Sequence, residues 1–219
     1  MSLVQAILTD RFVLAAAETR AVKPDGSIID DVNKLIKVNN EVIFGCTGGI
    51  EDNYKLFYGF CNYSKQSGLI KMGQPVNISY IDFVEIIINR FNEMKRIHDD
   101  PNNAIKFEIM SVVCGYNGSE FEAILFCLTS NNYIANGITT IHKSSNFPFK
   151  CITAGRIEHK EEFDRVANYY HENTTCDFST ILQYKNILKE VFSNEAKIDS
   201  EINSNIKFET IKLKDVMKY

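Results

Sequence analysis

The chain has 219 residues, of which 45% are hydrophobic and 24% charged, a composition that supports one sizeable globular core. Its net charge of −4 supplies no basic face of the kind nucleic acid selects, and no run approaches the ~18 apolar residues of a membrane helix. No charged leader precedes an apolar segment, so the expectation is a cytoplasmic protein with neither a nucleic-acid nor a membrane partner.

The first 48 residues read as strands. "LVQAIL", "FVLAAAET", "KLIKV" and "EVIFGC" are short and apolar. They are broken by Thr9-Asp10-Arg11, Pro24-Asp25-Gly26 and Asn39-Asn40, residues that favour turns. The pattern changes at Gly48-Gly49. Helical spacing follows in "IEDNYKLFYGFCNYSKQ". It is stronger in "SYIDFVEIIINRFNEMKRI", where Tyr80, Phe83, Val84, Ile87, Ile88, Phe91 and Met94 trace one stripe behind a Ser79/Asp82 starting signal.

Strand character returns after Asp100-Pro101-Asn102. "FEIMSVVCGY" and "FEAILFCLT" flank Asn117-Gly118-Ser119, a hairpin signal. "YIANGIT" and "FKCITAG" follow as strands. "KEEFDRVANYYHE" and "FSTILQYKNILKEVF" read as helices, and "IKFETIKL" closes the chain as a strand. Sheet segments this apolar need cover on both faces. The predicted fold is therefore α+β: two packed sheets between two helical layers, in a single domain over residues 1–219.

The six cysteines are scattered without a C-x-x-C pair, which fits buried reduced thiols rather than a disulfide or zinc framework. Cys46 is read as a buried strand cysteine rather than a nucleophile. His98-Asp99-Asp100, and His159 with Glu161 and Glu162, are read as helix-end and helix-start charges rather than metal ligands. His142 and His171 have no evident partners. No phosphate-cradling glycine motif is present, so no metal or cofactor is expected.

The order of "AAAETRA", "NKLIKVNN" and "GCTGG" resembles the β-type subunits of the proteasome and the bacterial HslV family, which are N-terminal-nucleophile (Ntn) hydrolases. The layout agrees over nearly the whole chain, and the motifs agree over residues 2 to 49. In that resemblance Ser2 falls on the catalytic threonine, Glu18 on the aspartate, Lys34 on the lysine, and Gly48 on the glycine whose N–H serves the oxyanion hole. The resemblance implies a four-layer αββα sandwich, attack on amide carbonyls of a peptide or other amide substrate, and a homo-oligomer assembled as a ring.

Such chemistry is physically coherent. A hydroxyl is a weak nucleophile until a base removes its proton, and a terminal amine with a pKa of about 8 is partly neutral at working pH. Removal of Met1 would expose Ser2. A Lys34 ammonium would lower the pKa of the hydroxyl and of the amine, Glu18 would hold Lys34, and N–H groups near Thr47 and Gly48 would stabilise the oxyanion.

Four features depart from the family pattern. Glu18 is one methylene longer than aspartate, and Ser2 lacks the threonine methyl. Ala154 stands where a supporting serine is expected. In "KIDSEINSN", Asp199, Ser200 and Ser204 do not reproduce the D-x-x-S-G-G spacing. These departures sustain a second expectation, a catalytically inactive protein of the same fold that acts through assembly or binding. The first turn also leaves two registers open. A two-residue turn at Asp10-Arg11 pairs Ser2 with Thr19 and turns Glu18 to the other side of the sheet, whereas a three-residue turn from Thr9 to Arg11 pairs Ser2 with Glu18 on one face.

Overall fold

The computed structural model describes residues 3–23, 25–57, 77–130, 135–143, 149–155 and 181–217. Ser2, the expected helix at 160–172 and the second half of the one at 50–66 lie outside these residues, as do His159 and His171.

Among the described residues, β1 (Val4–Thr9), β2 (Phe12–Glu18), β10 (Phe149–Ala154) and β11 (Ile206–Lys212) form a four-stranded sheet in the order β10-β1-β2-β11. A five-stranded sheet runs β5-β6-β7-β8-β9, from β5 (Leu35–Lys37), β6 (Val42–Gly48), β7 (Ile109–Tyr116), β8 (Phe121–Leu128) and β9 (Gly137–His142). A small ribbon pairs β3 (Ala21–Val22) with β4 (Ile28–Ile29). Every pairing in these sheets is antiparallel.

Helix α1 occupies 50–57. Helix α2 is Tyr80–Asp99, α3 is Ile181–Ile198 and α4 is Leu213–Val216. Ser79 caps α2 as expected, its hydroxyl accepting the Asp82 N–H at 3.1 Å, which satisfies one of the orphan donors of the first turn.

Strand alternation sorts the apolar side chains into three clusters. Val4, Ala6, Val13 and Ala15 of β1 and β2 meet Leu35, Ile43, Val112 and Cys114 of the five-stranded sheet. The alternate residues Leu3, Ile7, Leu14 and Ala16 pack on Tyr184, Leu188 and Phe192 of α3. Phe44, Cys46, Val113 and Phe126 pack on Leu56 of α1 and on Phe83, Ile87 and Phe91 of α2. Each fully buried aliphatic or aromatic side chain contributes about 1.5–3 kcal/mol of transfer free energy, so both faces of both sheets are strongly held.

Two elements differ from expectation. Of the segment read as a strand from Tyr133, residues 133 and 134 lie outside the described residues, and β9 begins at Gly137, just after Asn136, whose side chain imitates a ladder partner. It accepts the Thr129 N–H at 2.8 Å and donates to the Thr129 carbonyl at 2.9 Å, closing the turn first. The closing strand stops at Lys212, and Leu213 starts a short helix tied back by its N–H to the Arg11 carbonyl at 2.8 Å.

Candidate functional site

The first hairpin decides which residues meet. Leu8 pairs with Val13 and Val4 with Ala17, the register of the two-residue turn at Asp10-Arg11. The Thr9 hydroxyl fixes that turn, accepting from the Arg11 and Phe12 N–H groups at 3.2 and 3.0 Å and donating to the Phe12 carbonyl at 2.8 Å. Continuing the register sets Leu3 against Glu18, and the Leu3 N–H donates to Glu18 Oε1 at 3.3 Å. The three-residue alternative, the register expected to set Ser2 and Glu18 on one face, is excluded.

Lys34 comes from the other sheet. It precedes β5, and its carbonyl accepts the Cys46 N–H of β6 at 2.9 Å. The sheets approach closely here because Gly45 has no side chain. A Cβ on Gly45 would lie 2.9 Å from Val4 Cγ1 and 3.2 Å from Val112 Cγ1, too close for ordinary packing. Tyr54 of α1 steadies the preceding residue, its hydroxyl donating to the Asn33 carbonyl at 2.7 Å.

These constraints bring the Lys34 ammonium onto Glu18 Oε1 and onto the Arg20 carbonyl. Neither side chain of the pair is exposed. The Arg20 N–H donates to Glu18 Oε2 at 2.6 Å, so the carboxylate accepts from two backbone groups as well as from the ammonium. Burial pushes Glu18 above its usual carboxylate value while Lys34 and the two N–H groups oppose that rise. Burial also pulls Lys34 below its usual value, opposed by Glu18.

A ring of polar residues that the sequence did not single out holds this centre. The Arg20 guanidinium, an alternative partner for Glu18, instead pairs with Asp30 at 2.9 Å and donates to the Ser200 carbonyl at 3.0 Å. Asn203 bonds Thr19 and Asp30, and Asn205 donates to Asp31 at 3.1 Å. Asp199, Ser200 and Ser204 therefore sit in a loop that does reach the centre, but through Asn203 and a backbone carbonyl. Asp199 itself accepts the Glu201 N–H at 2.9 Å. Partners about 170 residues apart leave no local signal.

Gly48 lies two residues beyond Cys46 and ends β6 with φ +77°, a left-handed conformation natural to glycine. At Gly49 a Cβ would fall 2.6 Å from the Glu108 carbonyl oxygen. Buried Asn53 secures this turn, donating to the Thr47 and Gly49 carbonyls at 2.8 Å each and accepting from Met110 N–H at 3.2 Å and from the Ser111 hydroxyl. The structure thus joins Glu18 and Lys34 directly and links Gly48 to them along β6. Ser2 lies outside the described residues.

Other candidates find structural uses. Cys46 is buried and its thiol is pushed up to about 12 by desolvation, which Lys34 only partly offsets. The His98 Nδ1 accepts the Phe107 N–H at 2.9 Å, and no group of metal-ligating side chains occurs among the described residues. His142 lies 3.1 Å from Glu120 and 3.6 Å from Glu122. Ala154 is buried between the sheets. Among the described residues no helix is long and apolar enough to cross a membrane.

No protein-family model matches the chain, and no curated protein matches it in sequence. Among solved structures the chain is similar to the eukaryotic HslV from Trypanosoma brucei, with a TM-score of 0.60, 13% identity and coverage of 96% of this chain and 99% of that one. Likeness at that identity concerns the fold, which is HslV-like. The same family is the one that "AAAETRA", Lys34 and "GCTGG" resemble.

Proposed function

We propose that the chain is a single-domain, four-layer αββα Ntn hydrolase that cleaves peptide or other amide bonds. Ser2 is its leading residue after loss of Met1, and Lys34, Glu18 and Gly48 complete the site. The observation that carries this reading is the buried Glu18–Lys34 pair, with the Leu3 N–H on the same carboxylate oxygen as the ammonium.

In the first step the terminal amine takes the proton of the Ser2 hydroxyl while Oγ bonds to the substrate carbonyl carbon. Lys34 favours the alkoxide electrostatically, and backbone N–H groups at the Gly48 turn face the developing oxyanion, a contribution of about 3 kcal/mol per donor. The C–N bond then breaks, and the leaving amine takes the proton from the terminal ammonium. Water next attacks the Ser2 ester and gives its proton to the same amine. The acid departs and Oγ regains a proton.

Intact mass should show Met1 removed, and a β-lactone probe should add once, at Ser2. Replacement of Ser2 by Ala should abolish cleavage of unfolded casein and of acyl-amide substrates. Undiminished cleavage by the Ala variant would end this assignment. By its resemblance the protein works as a homo-oligomeric ring in the cytoplasm, and light scattering that found monomers alone would remove the ring.

One observation favours the inactive alternative. Ala154 presents only a methyl group, in the core between the sheets, where the family resemblance expects a hydroxyl. A retained Met1 together with no lactone adduct would select that reading, leaving assembly or binding as the role of the fold.

A further inference from the structure

The segment around Thr19 is held more tightly than a strand end requires. Thr19 is fully buried, and its carbonyl accepts the Val32 N–H at 2.8 Å. On its other flank Thr19 meets the Asn203 side chain. Asn203 Oδ1 accepts the Thr19 N–H at 3.3 Å, and Nδ2 donates to Thr19 Oγ1 at 3.3 Å and to Asp30 Oδ1 at 2.9 Å. Thr19 lies between two residues that Lys34 touches, since Glu18 supplies a carboxylate and Arg20 a carbonyl.

We propose that Asn203 is a positioning residue for this centre: its amide clamps Thr19 and Asp30 together, which keeps the Glu18 carboxylate and the Arg20 carbonyl in register for Lys34. The proposal deepens the hydrolase reading and rests on it for its catalytic consequence, but the clamp itself is a property of the fold. An amide suits the task because it accepts on one side and donates on the other. Asp30 is in turn anchored by the Arg20 guanidinium at 2.9 Å, so the loop before β11, the turn before Lys34 and the end of β2 close into one network. In such networks, losing one member loosens the others.

The test compares Asn203→Ala with Asn205→Ala. Asn205 occupies the same loop and makes a similar bond, but to Asp31, at 3.1 Å. Hydrogen exchange of the Arg20 N–H, which bonds Glu18 and not Asn203, should accelerate about tenfold in Asn203→Ala and stay within roughly twofold of the parent in Asn205→Ala. In the active protein, kcat on a fluorogenic acyl-amide should fall about tenfold in Asn203→Ala with little change in KM, because a sub-ångström misplacement acts on the reaction rather than on binding.

Asn203→Asp keeps the acceptor for Thr19 but sets a carboxylate oxygen against Asp30, and should also accelerate Arg20 exchange. It serves as the measured variant if the alanine chain does not fold. Unchanged Arg20 exchange in the folded Asn203 variants, or equal acceleration in Asn205→Ala, overturns the clamp. A parent without hydrolytic activity would sink the hydrolase reading alone, since the exchange measurement would still decide the clamp.

Discussion

Lys34 and Glu18 form an ion pair in which neither side chain is exposed to water. It ties the start of β5 in one sheet to the end of β2 in the other. Desolvation of two charges is costly, and their attraction offsets it only while both remain. The pair is therefore a weak source of net stability but a strong penalty on any change that removes one partner.

Glu18→Gln and Lys34→Met should each cost about 3–5 kcal/mol at neutral pH, and the double variant should return close to the parent. The pH dependence of the two single variants should be opposite. Without its counter-charge Lys34 drops further below its ordinary 10.5, so the folded state binds fewer protons than the unfolded one. Stability of Glu18→Gln then rises with pH toward 10.5, by up to about 1.4 kcal/mol per unit. Without Lys34, Glu18 climbs further above 4.5, and stability of Lys34→Met falls as pH rises above that value. Urea denaturation between pH 5 and 9 would read both slopes; parallel slopes would contradict the pairing.

The Gly48 turn makes a sharper contrast between neighbours. Gly48→Ala meets no atom closer than 3.9 Å, so its cost is the left-handed conformation alone, about 1 kcal/mol. Gly49→Ala drives a methyl into the Glu108 backbone and should cost about 1–3 kcal/mol while displacing the turn. Activity should survive the first better than the second, as paired kcat and thermal-melt measurements would show.

Asn53→Ala should destabilise the fold by about 3 kcal/mol or more, because the Thr47 and Gly49 carbonyls and the Met110 N–H lose their buried side-chain partner together. Chemical denaturation would measure this loss. An effect below about 1 kcal/mol would mean that water enters and replaces the amide.

Cys46 should resist iodoacetamide in the folded protein at pH 8, since its thiol is buried and pushed up to about 12. Mass spectrometry of a brief native labelling should place adducts on other cysteines first. Rapid labelling of Cys46 would reopen its reading as a nucleophile.

Much of this architecture was legible from the spacing of apolar residues. The runs at β1, β2, β6, β7 and β8 read directly as strands because both of their faces are buried, and the α2 stripe falls on the residues that pack against the five-stranded sheet. Glu18 and Lys34 were singled out by the family resemblance, and Glu18 also because a carboxylate ends an apolar run. Their exact pairing needed the hairpin register, which the Thr9 hydroxyl decides. Asn203 was not legible at all. An amide in a polar loop carries no periodicity, and its partners at Thr19 and Asp30 are over 170 positions away.

The missing side chain at Gly45 has a reach beyond its own neighbourhood. Val4 occupies the room it leaves, and Leu3, the residue before it, donates to Glu18 through its N–H. A single methyl added in that gap would act as a wedge, prising the start of β1 from the strand beside Lys34. Interior volume and the ionisation of a distant charged pair, normally separable design variables, are here one and the same.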